Sequence, residues 1–181
     1  MGTCMSETPR VAAIVVPPGL NASPLLAQVA GALSGRGLKI AGAIQIDEDA
    51  PGMRCGPMWL QDLATGERIA ISQDRGPGAR GCRLDAHGLA VACEDIARGI
   101  AAGADLVVLN KFGKREAEGR GLRDAIASAV MAGIPVLTSV GEPLAGALDA
   151  FLDGAWTRLP DDPAAIMDWA RQAVALARTP A

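Results

Sequence analysis

The segment from Asp105 to Gly121 constrains the fold of this chain more than any other, because a compact apolar run, Leu106 to Leu109, passes straight into a glycine-punctuated, charged loop. A helix-like stretch from Leu122 to Ala132 follows, then Gly133-Ile134-Pro135 and a second apolar run from Val136 to Val140. Strand, loop, helix, strand is the repeating unit of a parallel sheet, and in open parallel sheets ligands sit beyond the carboxyl ends of the strands. The loop from Asn110 to Gly121 is therefore the first place to look for a site.

The rest of the chain repeats the alternation. Val11 to Val16 is a β-branched run stopped by Pro17-Pro18-Gly19, and Ser23-Pro24 then opens a helix, with Ser expected to cap the free amides and Pro to take the first helical position. Leu25, Leu26, Val29 and Leu33 recur at helical spacing until Gly35 and Gly37 end the pattern. Lys39 to Ile46 reads as a strand, and Met58 to Leu63 with Arg68 to Ser72 reads as a hairpin inserted between the parallel units. Gln73 to Arg83 is too rich in glycine for regular structure and is expected to be a loop. Asp85 caps a helix carrying Leu89, Cys93, Ile96 and Ile100 on one face. Glu142-Pro143 starts a short helix, Trp156 to Leu159 makes an edge strand, and Asp162-Pro163 opens a final helix. The expected fold is α/β, a three-layer, mostly parallel sheet flanked by helices with an inserted β-hairpin. One domain spans 11–178, and residues 1–10 form a disordered N-terminus.

Composition agrees with that architecture. Half of the 181 residues are hydrophobic, yet only two Phe and three Trp are aromatic and Tyr is absent, so the core is built from Ala, Val, Leu and Ile. A net charge of -3 argues against nucleic acid as the main partner. Neither a bilayer-spanning run nor the apolar centre of a signal peptide is present, so a cytoplasmic protein is expected. Cys4, Cys55, Cys82 and Cys93 form no C-x-x-C pair, which excludes a zinc ribbon or redox motif. Cys82, beside Arg80 and Arg83, is the one whose surroundings would favour a reactive thiolate.

Eight of the seventeen basic residues fall in or just after two glycine-rich segments: Arg75, Arg80 and Arg83 in one, Lys111, Lys114, Arg115, Arg120 and Arg123 in the other. Glycines let main-chain amides approach a ligand, and guanidinium groups bind oxyanions in a bidentate way. The candidate ligand-binding set is Arg75, Gly78, Arg80, Gly81, Arg83, Asn110, Lys111, Gly113, Lys114 and Arg120. A plain alternative is two solvated loops whose charges pair with Asp74, Glu116 and Glu118. Glu116 is the candidate acid or base, with Glu118 as its neighbour. His87, two residues after Asp85, belongs to an exposed first helical turn, and Asp47-Glu48-Asp49 reads as a solvated acidic turn rather than a metal site.

The segment from Asp105 to Val140 resembles the small nucleoside-triphosphatases of the P-loop class, whose corresponding strand ends in D-E-x-G-K-x-E. Gly113, Lys114 and Glu116 match that motif, whereas Asn110 and Lys111 replace its acidic pair. More closely, the pattern from Ser72 to Asp85 together with that from Asn110 to Gly121 is similar to a proteobacterial family of unknown function. Some members of that family are encoded near molybdate-uptake genes. The resemblance implies a P-loop-like fold whose phosphate loop has degenerated. Pro17 to Pro24 contains no lysine, and its prolines lack amide donors, where G-x-x-x-x-G-K-[ST] is required. Three functions follow from these residues. The first is a non-hydrolytic binding protein for a small oxyanion such as molybdate, or for a phosphorylated ligand. The second is a divergent nucleotide phosphohydrolase that uses Mg. The third is a protein-interaction module. No membrane or nucleic-acid partner is expected, and a homodimer is compatible with the Ala-rich helices.

Overall fold

The computed structural model describes residues 10–47, 57–73 and 83–179. The chain runs β1 (Val11–Val16), α1 (Ser23–Ser34), β2 (Ile40–Asp47), β3 (Met58–Asp62), β4 (Arg68–Ala70), β5 (Ser72–Gln73) and β6 (Arg83–Leu84). It continues through α2 (Ala86–Ala101), β7 (Leu106–Leu109), α3 (Lys114–Ala117), α4 (Arg123–Met131) and β8 (Val136–Gly141). A short 3-10 turn (Glu142–Leu144), α5 (Ala145–Phe151), β9 (Thr157–Leu159) and α6 (Pro163–Arg178) complete it.

Seven strands form one sheet in the order β4-β3-β2-β7-β8-β1-β9. The five strands from β2 to β9 in that order are parallel, and β3 and β4 extend the sheet antiparallel at one edge. Alternation along the strands divides the core. Ala12, Ile14, Ile40, Ile44, Leu106, Val108 and Leu137 face α1 and α6. Val11, Ala13, Ala41, Ala43, Val107, Leu109 and Val136 face α2, α4 and α5. Strands buried on both faces are largely apolar, which is why the runs at β1 and β7 are so legible in the sequence, and β8 adds only Thr138 and Ser139 as buried polar residues. Gly42 is required where β2 meets β7: its φ is +124°, and a Cβ there would overlap the Val108 carbonyl.

Helix ends follow side-chain chemistry. Asp162 accepts from the amides of Ala164 and Ala165 at the start of α6, and Asp85 accepts from His87 N at the start of α2. Each such cap stabilises its helix by about 1 kcal/mol. At the start of α1 the expectation fails, because the capping position is Ala22 and no side chain caps it. The Ser23 hydroxyl is used elsewhere. Two further expectations are corrected. The stretch from Arg68 to Ser72 is not one strand but breaks at Ile71, which turns inward into the core. The ends of the supposed loop from Gln73 to Arg83 pair as β5 and β6, with Ser72 opposite Leu84 and Gln73 opposite Arg83. Of residues 1–10, expected to be disordered, 1–9 lie outside the described residues, as do Arg75, Gly78, Arg80, Gly81 and Cys82, whereas Arg10 bonds the Gly133 carbonyl.

Candidate functional site

The chain leaves β1 for α1 on one face of the sheet and leaves β8 for α5 on the other. Such a reversal opens a crevice at the carboxyl ends of the strands, where the loops after β1, β7 and β8 converge. Asn110 stands at that end of β7 and is buried. Its side-chain oxygen accepts from the Ser23 hydroxyl at 2.5 Å and from the main-chain N–H of Gln45 at 3.1 Å. Its carbonyl accepts from the Ser139 hydroxyl at 2.7 Å. One residue thus ties β7 to the start of α1, to β2 and to β8.

Ser23 carries one hydroxyl proton but faces two amide oxygens, Asn110 Oδ1 at 2.5 Å and Asn21 Oδ1 at 2.7 Å. Main-chain donors fix both oxygens in place, Gln45 N on Asn110 and Ser23 N on Asn21 at 3.0 Å. The cluster is therefore uncharged, with both amide oxygens engaged. Asn21, Gln45 and Ser139 were not singled out from sequence, and Ser23 was expected there only as a helix cap. Their only signal was position: Asn21 and Ser23 follow the first strand, and Gln45 and Ser139 lie near the ends of two others.

The loop after β7 is not wholly irregular, because Lys114 to Ala117 forms the single turn of α3. Glu116 is buried inside this loop. Its Oε2 accepts from Gly113 N and its Oε1 from Leu122 N, each at 2.9 Å. A Cβ on Gly121, whose φ is +66°, would overlap Glu116 Oε1. Glu116 in this conformation shapes the loop by joining its two ends. Charge-assisted bonds of this kind are about twice as strong as neutral ones.

The basic residues of the loop point outward. Lys111, Lys114, Arg115 and Arg120 are exposed, and Lys114 makes only a 4.0 Å ion pair with Glu118. Arg123 is directed elsewhere: its guanidinium lies 4.3 Å over the Phe151 ring, which stacks on Phe112. Gly113 contributes its amide to Glu116 rather than to the surface. Arg83 lies in β6.

The β5–β6 pair lies near the edge of the sheet formed by β3 and β4. Met58 pairs with Asp47 at the carboxyl end of β2, and Ile71 N donates to Met58 O. The two short strands therefore rise from the same end of the sheet as the loop after β7, with β2 and β3 between them. Among the described residues, no group of three or more His, Cys, Asp or Glu gathers as a metal centre, and no helix is long and apolar enough to cross a membrane.

Residues 11–169 match the family described as Protein of unknown function (DUF2478), and the chain belongs to that family. A Bradyrhizobium diazoefficiens protein named Molybdenum import ATP-binding protein ModC 2 is 45% identical over 163 residues, covering 90% of this chain. The chain spans only 18% of that relative's length. The crystal structure of THEP1 from the hyperthermophile Aquifex aeolicus aligns with a TM-score of 0.58 over 93% of this chain and 99% of THEP1. At 13% identity that likeness is one of fold. It agrees with the α/β, mostly parallel architecture expected from the sequence.

Proposed function

We propose that this DUF2478-family protein is a non-hydrolytic, cytoplasmic binding module for a small oxyanion or a phosphorylated ligand. The ligand lies at the carboxyl end of the sheet against the loop carrying Lys111, Lys114 and Arg120. The glycine-rich segment that follows β5, with Arg75, Arg80 and Arg83, supplies the second set of cations. The carrying observation is the clasp between Ser23 and Asn110, whose oxygens stand 2.5 Å apart. Phosphoryl transfer in this class of fold needs a hydroxyl and a carboxylate turned to a magnesium ion, and a lysine on the phosphates. Here the hydroxyl is turned onto a neutral amide, and the loop between β1 and α1, Pro17 to Ala22, holds no lysine. Both Glu116 oxygens are engaged by main-chain amides, which leaves this carboxylate poorly placed to activate water.

The name of the Bradyrhizobium relative, which refers to molybdenum import, supports molybdate as the first oxyanion to test. The same name refers to ATP binding and favours a second reading, a nucleotide phosphohydrolase that uses Mg. Phosphate release from ATP and GTP with and without Mg separates the two. The binding-module reading expects release at the buffer background, whereas Mg-dependent turnover lost in Lys114→Ala would replace it with the second.

A further inference from the structure

The one-turn helix α3 ends in a way that singles out two cations of its loop. Gly119, with φ of +82°, donates its N–H to the Glu116 carbonyl at 3.1 Å, and Arg120 N donates to the Arg115 carbonyl at 2.8 Å. These nested bonds make a Schellman motif, with the left-handed glycine between its two arginines in sequence. The motif brings the residue after the glycine back to the one five positions earlier, and the contact there is commonly apolar. Here both positions are arginine. A Cβ on Gly121 would lie 3.3 Å from the Arg115 Cβ, so Arg115 packs against the chain that leaves Arg120. A third guanidinium joins them: Arg123 Nη1 lies 3.8 Å from where a Cβ on Gly119 would be.

Like charges gathered on one turn repel each other unless an anion joins them. Arg98, Arg158, Arg171 and Arg178 each pair with a carboxylate, whereas among the described residues Arg115, Arg120 and Arg123 pair with none. The loop's own carboxylates are committed, Glu116 to two main-chain amides and Glu118 to Lys114. The negative end of α3 does not account for the cluster either. The helix is a single turn, and the carbonyls of Lys114, Arg115 and Glu116 already accept from main-chain amides.

A guanidinium group offers parallel N–H bonds that match two oxygens on one edge of an oxyanion. A carboxylate has one such edge and satisfies one arginine. A tetrahedral dianion has several, so two neighbouring arginines can hold it from two directions. We infer that Arg115 and Arg120 form a two-armed clamp for a tetrahedral dianion, a free oxyanion or the phosphoryl group of an ester, with Arg123 adding charge beside it. The inference rests on the oxyanion reading of this loop and adds Arg115, which that reading does not use.

The experiment is calorimetric titration, at fixed ionic strength, with phosphate, sulfate, molybdate, O-phosphoserine, acetate and nitrate. The proteins are the wild type, Arg115→Gln, Arg115→Lys, Arg120→Gln and, as a distant change of equal charge, Arg36→Gln. All three arginines are exposed, so each variant should fold as wild type does. At least one tetrahedral dianion should bind the wild type, and acetate and nitrate should not. Arg115→Gln and Arg120→Gln should each raise the dissociation constant about tenfold or more. Arg115→Lys should restore it only in part, because an ammonium group lacks the fork, and Arg36→Gln should leave it unchanged. Binding confined to O-phosphoserine supports the clamp with a phosphoryl ester, and binding of an inorganic dianion supports it with a free oxyanion. Wild-type affinity in Arg115→Gln, full restoration by lysine, equal loss in Arg36→Gln or equal binding of acetate overturns the clamp and leaves the oxyanion reading standing. No binding of any tetrahedral anion to the wild type overturns both.

Discussion

The hydroxyl of Ser23 and the side-chain oxygen of Asn110 stand 2.5 Å apart, joining residues 87 positions distant in sequence into one neutral clasp beneath the crevice. Asn110→Ala removes the acceptor of both the Ser23 hydroxyl and the Gln45 amide. The expected cost is about 1–3 kcal/mol for groups left buried without partners, which for a domain of this size lowers the thermal midpoint by about 2–4 °C per kcal/mol. Asn110→Asp keeps both acceptors but buries a charge. A charge buried in place of the neutral amide costs stability, so the variant should be less stable than wild type at pH 8. Magnesium should restore part of that loss. A variant as stable as wild type at pH 8 without magnesium would contradict the neutral character assigned to the clasp.

Glu116 binds Gly113 N and Leu122 N at the two ends of one loop, so Glu116→Gln leaves one amide facing an NH₂ group. A loss of about 1–3 kcal/mol is expected, together with faster hydrogen exchange at Gly113 and Leu122. Gly121→Ala should do at least as much, because its φ of +66° disfavours any side chain and its Cβ would overlap Glu116. Unchanged exchange at both amides in Glu116→Gln would remove Glu116 from this structural role.

Much of the fold was legible because β1 and β7 are buried on both faces and are apolar throughout, and because Asp85 and Asp162 are ordinary helix caps. The one-turn helix at Lys114 was hidden by its glycines, since what fixes it is a carboxylate folding back on Gly113. The Ser23 clasp was hidden for a different reason. A serine before a proline reads locally as a cap, and only the tertiary approach of Asn110 turns its hydroxyl away. Composition indicated both cationic segments, but the pairing of β5 with β6 was hidden because two-residue strands leave no periodic signal.

Asp105 couples the start of β7 to the end of α6. Burial pushes its carboxyl upward, but donation from Lys39 N and from the Arg178 guanidinium, with the charges of Arg178 and Lys39, outweighs burial and holds it below the ordinary value. The carboxyl lowered in the folded state contributes stability above the unfolded value, about 3.9, and that contribution is lost as pH falls through the folded value. Urea midpoints measured from pH 6 to pH 2.5 should fall more steeply for wild type than for Asp105→Asn. Parallel curves would show that Asp105 contributes nothing to acid sensitivity.

Cys93 lies half-buried on α2, and burial, then the carboxylates of Asp124 and Glu116, push its thiol upward. Since the thiolate is the reactive form, native Cys93 should be alkylated by iodoacetamide at pH 7.5 far more slowly than in the denatured chain. Equal rates in native and denatured protein would contradict that assignment.

The central claim is that the cationic end of the sheet binds an oxyanion without turning it over. It is tested most directly by the thermal midpoint of the purified protein with molybdate, tungstate, sulfate, phosphate, ADP, and ATP with magnesium, since a ligand of the native state stabilises it by mass action. The account predicts a saturable rise with molybdate or another small oxyanion that is lost in Lys114→Ala and Arg80→Ala. A rise confined to ATP with magnesium, or no rise with any anion, would contradict it.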